Sequence, residues 1–200
     1  KSGEALQEAR NVDTVVMDKT GTITEGKPRV TDIIVNGEGG TEEILTLAAA
    51  LEKPSEHPLA DAIVSAAEER GLRLPEVTGF QAVFGKGIEG TIDGAVYYVG
   101  NRKFMEEKGI RIAKEQEQEM ENLAEEGKTP LLFGKADGDG SLGAVIAVAD
   151  TVKGSSLAAI RNLEKMHVHV IMLTGDNRKT AEAVRRKLGI AEVIAEVLPD

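Results

Sequence analysis

The 200-residue sequence contains no cysteine and no tryptophan, and aromatic residues make up only 3% of it. Without cysteine, disulfide bonds and thiolate metal sites are excluded within the chain, which fits a reducing compartment. Long apolar runs are also absent, because the longest, near residues 144–149, is far shorter than the roughly 20 residues of a membrane-spanning helix. We therefore expect no transmembrane segment and no signal peptide within these residues.

Basic residues are scarce relative to acidic ones, with 24 lysines and arginines against 34 aspartates and glutamates and a net charge of −10. Such a surface repels nucleic acid and anionic membranes, so we expect no nucleic-acid partner. The apolar content of 41% and the length allow one large domain or two small ones, each with a core. The opening residues, KSGEALQEAR, lack an initiator methionine, so we expect the chain to be a piece of a longer polypeptide.

The periodicity of apolar residues changes along the chain and divides it into two kinds of structure. It predicts strands at 12–17, 30–35, 78–84, 88–92, 95–99, 131–135, 142–149, 167–173 and from 193, and helices at 1–10, 41–53, 58–70, 112–124, 155–166 and 178–188. After Asp150, helix and strand alternate, which is typical of a parallel sheet. We therefore predict an α/β fold in which residues 1–30 and 142–200 form a doubly wound parallel sheet, left incomplete. A different α+β domain, residues 31–141, is predicted to be inserted into it.

Polar residues follow three of the apolar strands at the point where each strand ends. Asp18 follows VVM, Asp150 follows GAVIAVA, and Thr174 and Asp176 follow VHVIML. A single acid at such a place is usually a helix cap. Ligands of open parallel sheets bind beyond the carboxyl ends of the strands, so three such ends together predict a shared site.

The residue types at these strand ends suit phosphoryl transfer. A carboxylate such as that of Asp18 can act as a nucleophile and form an aspartyl phosphate. Lys19 or Lys153 could supply positive charge beside the incoming phosphoryl group, and the Thr174 hydroxyl could donate to its oxygens. A metal ion would be needed to neutralise the phosphate, and Asp18 and Asp176 are hard oxygen ligands or supports for one.

The motifs at these positions resemble those of P-type ATPases. DKTGT at 18–22, continued by ITEGKP, is similar to the phosphorylation signature of that family, and TGDN at 174–177 and DTVK at 150–153 resemble two further motifs. The resemblance covers the chain in the expected order and implies a haloacid-dehalogenase-like phosphorylation domain split by a nucleotide-binding domain. It implies these catalytic residues: Asp18, Lys19, Thr20, Thr174 and Asp176. It also implies that Asp18 and Thr20 hold Mg²⁺.

Thr20 favours a pump over a soluble phosphatase. Soluble phosphatases of the wider superfamily carry a second aspartate two positions after the nucleophile, as a general acid and base. Threonine cannot take a proton from attacking water at neutral pH, so the aspartyl phosphate should survive longer here. A soluble phosphohydrolase of the same fold remains the alternative, and a nucleotide-sensing module without catalysis is a third hypothesis.

The inserted segment carries a second group of motifs. SEHP occupies 55–58, GKGIEG occupies 85–90, and Gly100 precedes Asn101. The GxGxxG spacing is weak evidence alone, and because it lies between two predicted strands a Rossmann site is improbable. Together these pieces resemble the nucleotide-binding domain of the heavy-metal branch of P-type ATPases. The resemblance implies that the ATP site is lined by Glu52, His57, Gly85, Gly87, Gly100 and Asn101. A neutral imidazole can stack on adenine or hydrogen-bond to it, and Glu52 and Asn101 can bind its polar edge.

Within that branch, the chain resembles bacterial copper exporters, although zinc, cadmium and cobalt pumps share much of this headpiece and remain open. The resemblance implies ATP and Mg²⁺ as cofactors, transmembrane and actuator domains of the same polypeptide as partners, and a heavy-metal ion bound elsewhere. The resemblance also implies that the chain is a cytoplasmic domain of a cell-membrane protein. The family's following lysine and GDGxND motif do not occur in the sequence, so we expect ATP binding with little turnover.

Two further features have simpler explanations. His167 and His169 alternate along a predicted strand and could hold a metal, but no third ligand lies near them in sequence, so we favour packing. The DGDG stretch at 137–140 lacks the remaining ligands of a calcium loop and predicts a hairpin turn.

Overall fold

The computed structural model describes residues 12–37, 39–136 and 140–197 and divides the chain into two compact units. The first unit consists of the described residues before Lys27 together with those from Thr151 onward. The second unit is Lys27–Asp150, which is inserted into the first. The predicted helix at 1–10 and most of the predicted turn at 137–140 lie outside the described residues.

The described residues form nine strands and six α-helices. The strands are β1 (Thr14–Asp18), β2 (Arg29–Val35), β3 (Thr78–Val83), β4 (Gly87–Ile92), β5 (Ala95–Gly100), β6 (Thr129–Lys135), β7 (Leu142–Ala149), β8 (His169–Leu173) and β9 (Glu192–Ile194). The helices are α1 (Thr41–Glu52), α2 (Pro58–Glu69), α3 (Arg102–Glu107), α4 (Lys114–Glu125), α5 (Gly154–Lys165) and α6 (Arg178–Leu188). Nearly all coincide with predicted elements, but α3 was not predicted from the sequence.

The first unit contains a parallel sheet in the order β1-β8-β9. Residues of β8, α5 and α6 share one apolar cluster, which includes Ile160, Met172 and Val184. The continuous apolar run of β1 predicts burial on both faces. Among the described residues only one face is covered, and Val16 on the other is 56% exposed.

The second unit is built on a six-stranded antiparallel sheet in the order β2-β7-β6-β5-β4-β3. Helices α1 and α2 pack on one face and α3 and α4 on the other, so each face has its own apolar cluster. The β4–β5 hairpin turns at Asp93 and Gly94, whose φ angles of 48° and 81° are those of the predicted tight turn.

Strand β7 lies in this antiparallel sheet, whereas the sequence predicted it in the parallel sheet. It pairs antiparallel with β2 and β6. Ala144, Ile146 and Val148 point into one cluster, and Leu142, Val145 and Ala147 point into the other. Burial on both faces gives β7 the continuous apolar run that is typical of a parallel strand. The inserted unit therefore spans 27–150 in the structure, wider at both ends than the predicted 31–141.

None of the helices in the described part of the chain combines the length and the apolar character needed to cross a bilayer.

Candidate functional site

Asp18 lies at the carboxyl end of β1, where the first unit brings two predicted motifs together. It is in register with Leu173, the last residue of the parallel strand β8. Thr174 follows directly and is 2% exposed, whereas Asp18 is exposed to solvent. The carboxylate is therefore open to an incoming group, and a buried threonine begins the loop beside it.

The loop after Asp18 is held in one conformation by its own hydrogen bonds. The backbone N–H and the hydroxyl of Thr24 both donate to the Lys19 carbonyl, at 2.9 and 2.8 Å. Gly21 has a φ of 77°, a region that favours glycine. The Ile23 carbonyl accepts a hydrogen bond from the buried Ser156 hydroxyl at 2.7 Å. These hydrogen bonds to the Lys19 and Ile23 carbonyls fix the shape of the loop that follows the candidate nucleophile.

Lys19 and Asp176 form an ion pair across the two motifs. Lys19 Nζ lies 2.7 Å from Asp176 Oδ2, and their side chains are only 10% and 13% exposed. The Asp176 N–H donates to the Thr174 hydroxyl at 3.1 Å, which ties the pair to the end of β8. The sequence predicted both residues at the site but not their pairing. The ammonium group of Lys19 is thus held by a carboxylate from the loop after the neighbouring strand.

Lys153, the other predicted cation, also reaches this loop. Its Nζ donates to the Gly21 carbonyl at 2.5 Å, and its backbone N–H donates to the Ile23 carbonyl at 3.0 Å. Its ammonium group therefore contacts the turn that follows Asp18.

Asp150 does not end a parallel strand, and the prediction that it would was wrong. It follows β7, which belongs to the antiparallel sheet, and its Oδ1 accepts the Lys27 N–H at 3.1 Å. Asp150 and Lys27 are the two ends of the inserted unit. The carboxylate therefore joins the two ends of the insert.

The donors beside the loop suit a hard metal ion. Among the described residues, no group of three or more histidine, aspartate or glutamate side chains is arranged to hold a metal. Asp18 and Thr20 are exposed oxygen donors at the strand end. Mg²⁺ is commonly bound through one or two carboxylates, with water and substrate phosphates completing its shell, so this donor set fits Mg²⁺.

The two histidines near β8 do not form a pair on one strand face. His167 has a φ of 61° and lies in the turn before the strand, which begins at His169. The Nε2 atom of His169 lies 3.3 Å from Glu192 Oε2 on the neighbouring strand. The left-handed turn at His167 explains why the strand starts later than predicted.

In the second unit, Glu52 is a buried carboxyl group at the end of α1. It is 7% exposed, and burial raises its pKa to about 7, while a hydrogen bond from the Ser55 side chain opposes that rise. Both the charged and the neutral carboxyl are therefore accessible near neutral pH. A group with two accessible protonation states can accept or donate a hydrogen bond to a ligand.

His57 caps the start of α2 with its imidazole ring. Its Nδ1 accepts the Leu59 N–H at 3.2 Å, and Pro58 occupies the first helical position. Partial burial lowers the pKa of the ring. The imidazole is therefore neutral at pH 7, and because Nδ1 is an acceptor, the proton is on Nε2.

Gly87 and Gly100 are opposite each other on β4 and β5, and their lack of a side chain has a packing reason. A Cβ on Gly87 would lie 2.4 Å from the Val99 carbonyl and 2.7 Å from the Phe104 ring. A Cβ on Gly100 would lie 2.5 Å from the Lys86 carbonyl. The Phe104 ring packs where those side chains would be. From the sequence, we expected glycine at these positions because a nucleotide would lie close to the backbone. The structure gives the packing of Phe104 as a further reason.

Asn101 ties the remaining motif residues together. Its Oδ1 accepts the Phe104 N–H at 3.0 Å and caps α3, and its Nδ2 donates to the Gly85 carbonyl at 2.9 Å. Gly85, Gly87, Gly100 and Asn101 thus meet at one end of the β4–β5 pair. An asparagine cap ahead of RKFMEE was the available signal for α3.

The two groups of predicted nucleotide residues are joined through β4 and α1. A Cβ on Gly90 of β4 would lie 2.9 Å from Leu51 Cδ2, and Leu51 directly precedes Glu52. The end of α1 therefore packs on the strand that begins at Gly87.

Comparison with known proteins agrees with this architecture. A family model described as haloacid dehalogenase-like hydrolase matches residues 12–200. The chain belongs to this family. Its fold is haloacid-dehalogenase-like, with a parallel sheet and an antiparallel sheet.

Curated relatives of this member of the family are similar over the whole chain. It is 48% identical over 200 residues to a copper-transporting P-type ATPase of Rhizobium leguminosarum bv. viciae, covering 100% of this chain and 23% of that protein. It is 45% identical over 204 residues to a copper-exporting P-type ATPase of Bacillus subtilis (strain 168), covering 24% of it. A silver exporting P-type ATPase of Salmonella typhimurium is 44% identical over 200 residues, with 24% of it covered. The chain thus spans about a quarter of the length of these relatives.

Solved structures show the same likeness. A zinc-transporting PIB-type ATPase in its E2.Pi state aligns with a TM-score of 0.71 at 35% identity, covering 100% of this chain and 31% of that one. The N-domain of a copper-transporting P-type ATPase aligns with a TM-score of 0.52 at 29% identity, covering 60% of this chain and 99% of that one.

Proposed function

We propose that this chain is the ATP-binding and phosphorylation headpiece of a P-type ATPase that transports a heavy-metal ion. The observation that carries the proposal is the exposed Asp18 at the end of a parallel strand, in register with Leu173, which precedes Thr174, and followed by Lys19, which pairs with Asp176. Such an arrangement suits a carboxylate nucleophile with positive charge and hydroxyl donors beside it.

In the proposed reaction, a carboxylate oxygen of Asp18 attacks the γ-phosphorus of ATP. The new O–P bond forms as the bond from that phosphorus to the β–γ bridging oxygen breaks, and ADP leaves with the electron pair. Lys19 and the Thr174 hydroxyl stabilise the negative charge on the transferred group. Mg²⁺ held at Asp18 and Thr20 would neutralise phosphate oxygens when bound. Thr20 cannot serve as a base for water, so the aspartyl phosphate persists.

The inserted unit is proposed to bind the nucleotide. The Glu52 carboxyl group and the Nε2–H of the neutral His57 ring would contact adenine, whose edge offers both donors and acceptors. The proposed remainder of the ATP site consists of Gly85, Gly87, Gly100 and Asn101. Their close contacts with Phe104 and with each other support a role in shaping the site, besides any contact with the ligand.

The transported ion and the other partners follow from the relatives. Copper is favoured because it is named for the relatives from Rhizobium leguminosarum and Bacillus subtilis, while relatives named for silver and zinc keep those ions as alternatives. The proposed partners are transmembrane and actuator domains of the same polypeptide, and the metal ion would be bound there. The headpiece would accordingly be a cytoplasmic domain of a cell-membrane protein.

Phosphorylation of Asp18 is tested by treating the complete pump polypeptide with Mg²⁺ and ATP labelled in its γ-phosphate. We expect hydroxylamine-sensitive label on the protein, and we expect Asp18→Asn to abolish it because an amide oxygen is not a competent nucleophile. Asp13→Asn is the matched control, because Asp13 is also exposed but lies before β1, at the other end of that strand. Persistent label on the Asp18→Asn protein would contradict the proposal.

A further inference from the structure

The six residues proposed to line the ATP site supply no positive charge. They are one carboxyl group, one imidazole whose lowered pKa keeps it neutral, three glycines and one asparagine. The triphosphate of ATP carries several negative charges, and the chain itself has a net charge of −10, so its field repels such an anion. A cationic side chain close to these residues would therefore stabilise the phosphates.

Lys86 lies in the turn that joins β3 to β4, between Gly85 and Gly87. Its backbone N–H donates to the Val83 carbonyl at 3.0 Å, and Gly85 takes a φ of 69°, a region that favours glycine. The Lys86 carbonyl accepts the Asn101 N–H at 2.8 Å. The Lys86 backbone is therefore fixed at the end of the β4–β5 pair where four of the six candidate residues meet.

The ammonium group of Lys86 is paired with the carboxylate of Glu107, the last residue of α3. Its Nζ lies 2.9 Å from Glu107 Oε1 and 2.8 Å from Oε2, and the two side chains are 31% and 45% exposed. The hydrogen bonds from Lys86 lower the pKa of Glu107, and the charges of Lys86, Lys103 and Lys108 act in the same direction. Glu107 is thus an anion at neutral pH in the field of three lysines.

The pair between Lys86 and Glu107 is one that a ligand can replace. An ion pair in contact with water contributes little to stability, and a lysine side chain is a flexible stem with three donors. A triphosphate offers more negative charge than one carboxylate and can compete for the ammonium group. Lys108, in contrast, is paired with Glu89, and its Nζ lies 5.4 Å from the centroids of two aromatic rings. Of these two paired lysines, Lys86 is therefore the one that a ligand can take.

We propose that Lys86 is a phosphate-binding residue of the nucleotide site, whose ammonium group leaves the Glu107 carboxylate and donates to phosphate oxygens of ATP. This inference rests on the proposed nucleotide binding by the inserted unit. Glu107 is the counter-ion of Lys86 while the nucleotide is absent. Affinity for the phosphates then comes from Lys86, and affinity for the base comes from Glu52 and His57.

The test is a titration of the 200-residue chain with ATP and, separately, with adenosine, which lacks phosphates. We expect Lys86→Gln to raise the Kd for ATP about five- to tenfold, because a hydrogen bond between charged groups is lost. The Kd for adenosine should stay within about twofold of the wild type, which also shows that the variant is folded.

Arg73→Gln is the matched control, because it also removes one exposed positive charge from the second unit. Arg73 precedes β3, whereas Lys86 follows that strand, so the two charges lie at opposite ends of β3. The control variant should bind ATP with the affinity of the wild type.

Glu107→Gln separates phosphate binding from a purely structural ion pair. Removing the competing carboxylate frees Lys86, so the Kd for ATP should fall about two- to threefold, and this gain should be lost in a Lys86→Gln background. If the pair only held α3 against the turn, both substitutions would weaken the binding of ATP and of adenosine alike.

Binding of ATP that is weakened by Lys86→Gln and strengthened by Glu107→Gln, with adenosine unaffected, supports the inference. An unchanged Kd for ATP in Lys86→Gln overturns it, as does an equal loss for ATP and adenosine or weaker binding of ATP by Glu107→Gln, while the proposed function stands. Failure of the wild-type chain to bind ATP overturns the proposed nucleotide binding and the inference with it.

Discussion

At the scale of single residues, the two candidate carboxylates of the molecule have opposite environments. Asp18 is exposed at a strand end, and it directly precedes Lys19, whose ammonium group pairs with Asp176. Glu52 is buried at a helix end, and burial raises its pKa to about 7. One position suits attack on a phosphorus atom, and the other suits recognition of a base with donors and acceptors.

The buried Glu52 should make stability depend on pH. Its folded-state pKa is about 7 against an ordinary value of 4.5, so the folded chain binds more protons between these values. The free energy of unfolding should therefore fall as the pH rises from about 4.5 to about 7, by up to about 3 kcal/mol, and then level off. Glu52→Gln should flatten this dependence in urea unfolding at several pH values. Glu56→Gln, a change at an exposed neighbour, should keep it; an unchanged slope in Glu52→Gln would contradict the assignment.

At the scale of elements, the β4–β5 pair and α3 are built around close backbone contact. Gly87 faces Gly100, the Phe104 ring packs on both, and Asn101 caps the helix that carries Phe104. Glu89 of the same motif forms an ion pair with Lys108 just past that helix. A sequence motif predicted for ligand contact thus also holds a helix on a sheet.

Replacing Gly87 tests this packing. In Gly87→Ala the new methyl group would overlap the Val99 carbonyl and the Phe104 ring, at 2.4 and 2.7 Å. We expect a loss of about 1–3 kcal/mol in the free energy of unfolding, measured with urea, because overpacking forces the backbone or the ring to move. Gly154→Ala is the matched control, since nothing lies within 4 Å of its Cβ position at the start of α5. That variant should be as stable as the wild type; equal stability of Gly87→Ala would be the contrary result.

At the scale of the whole molecule, the chain leaves its first unit near Gly26 and returns near Thr151. The two crossing segments are joined by a Glu25 N–H donating to the Thr151 carbonyl at 2.8 Å in one unit. In the other unit, Lys27 N–H donates to Asp150 Oδ1 at 3.1 Å. These two hydrogen bonds lie on either side of the boundary between the units. The insert therefore ends at Asp150, and β7 belongs to it.

The boundary can be tested by cutting the chain. We expect residues 27–150 alone to fold with a single cooperative melting transition, because they carry all six strands and both apolar clusters. A chain of residues 31–141 lacks β7, which lies between β2 and β6, so it should not melt cooperatively. Circular dichroism on heating distinguishes them, and cooperative melting of 31–141 would restore the narrower boundary.

The sequence by itself determined most elements, the parallel arrangement of the first unit and the adjacency of Asp18 to Thr174, because those follow from periodicity and from strand-end rules. It also determined the tight hairpin at Asp93 and Gly94. Only the tertiary structure decided that β7 belongs to the insert, because an apolar run reports burial on two faces but not the direction of its neighbours. The Lys19–Asp176 pair was likewise decided by folding, since side chains distant in sequence meet only in the folded chain.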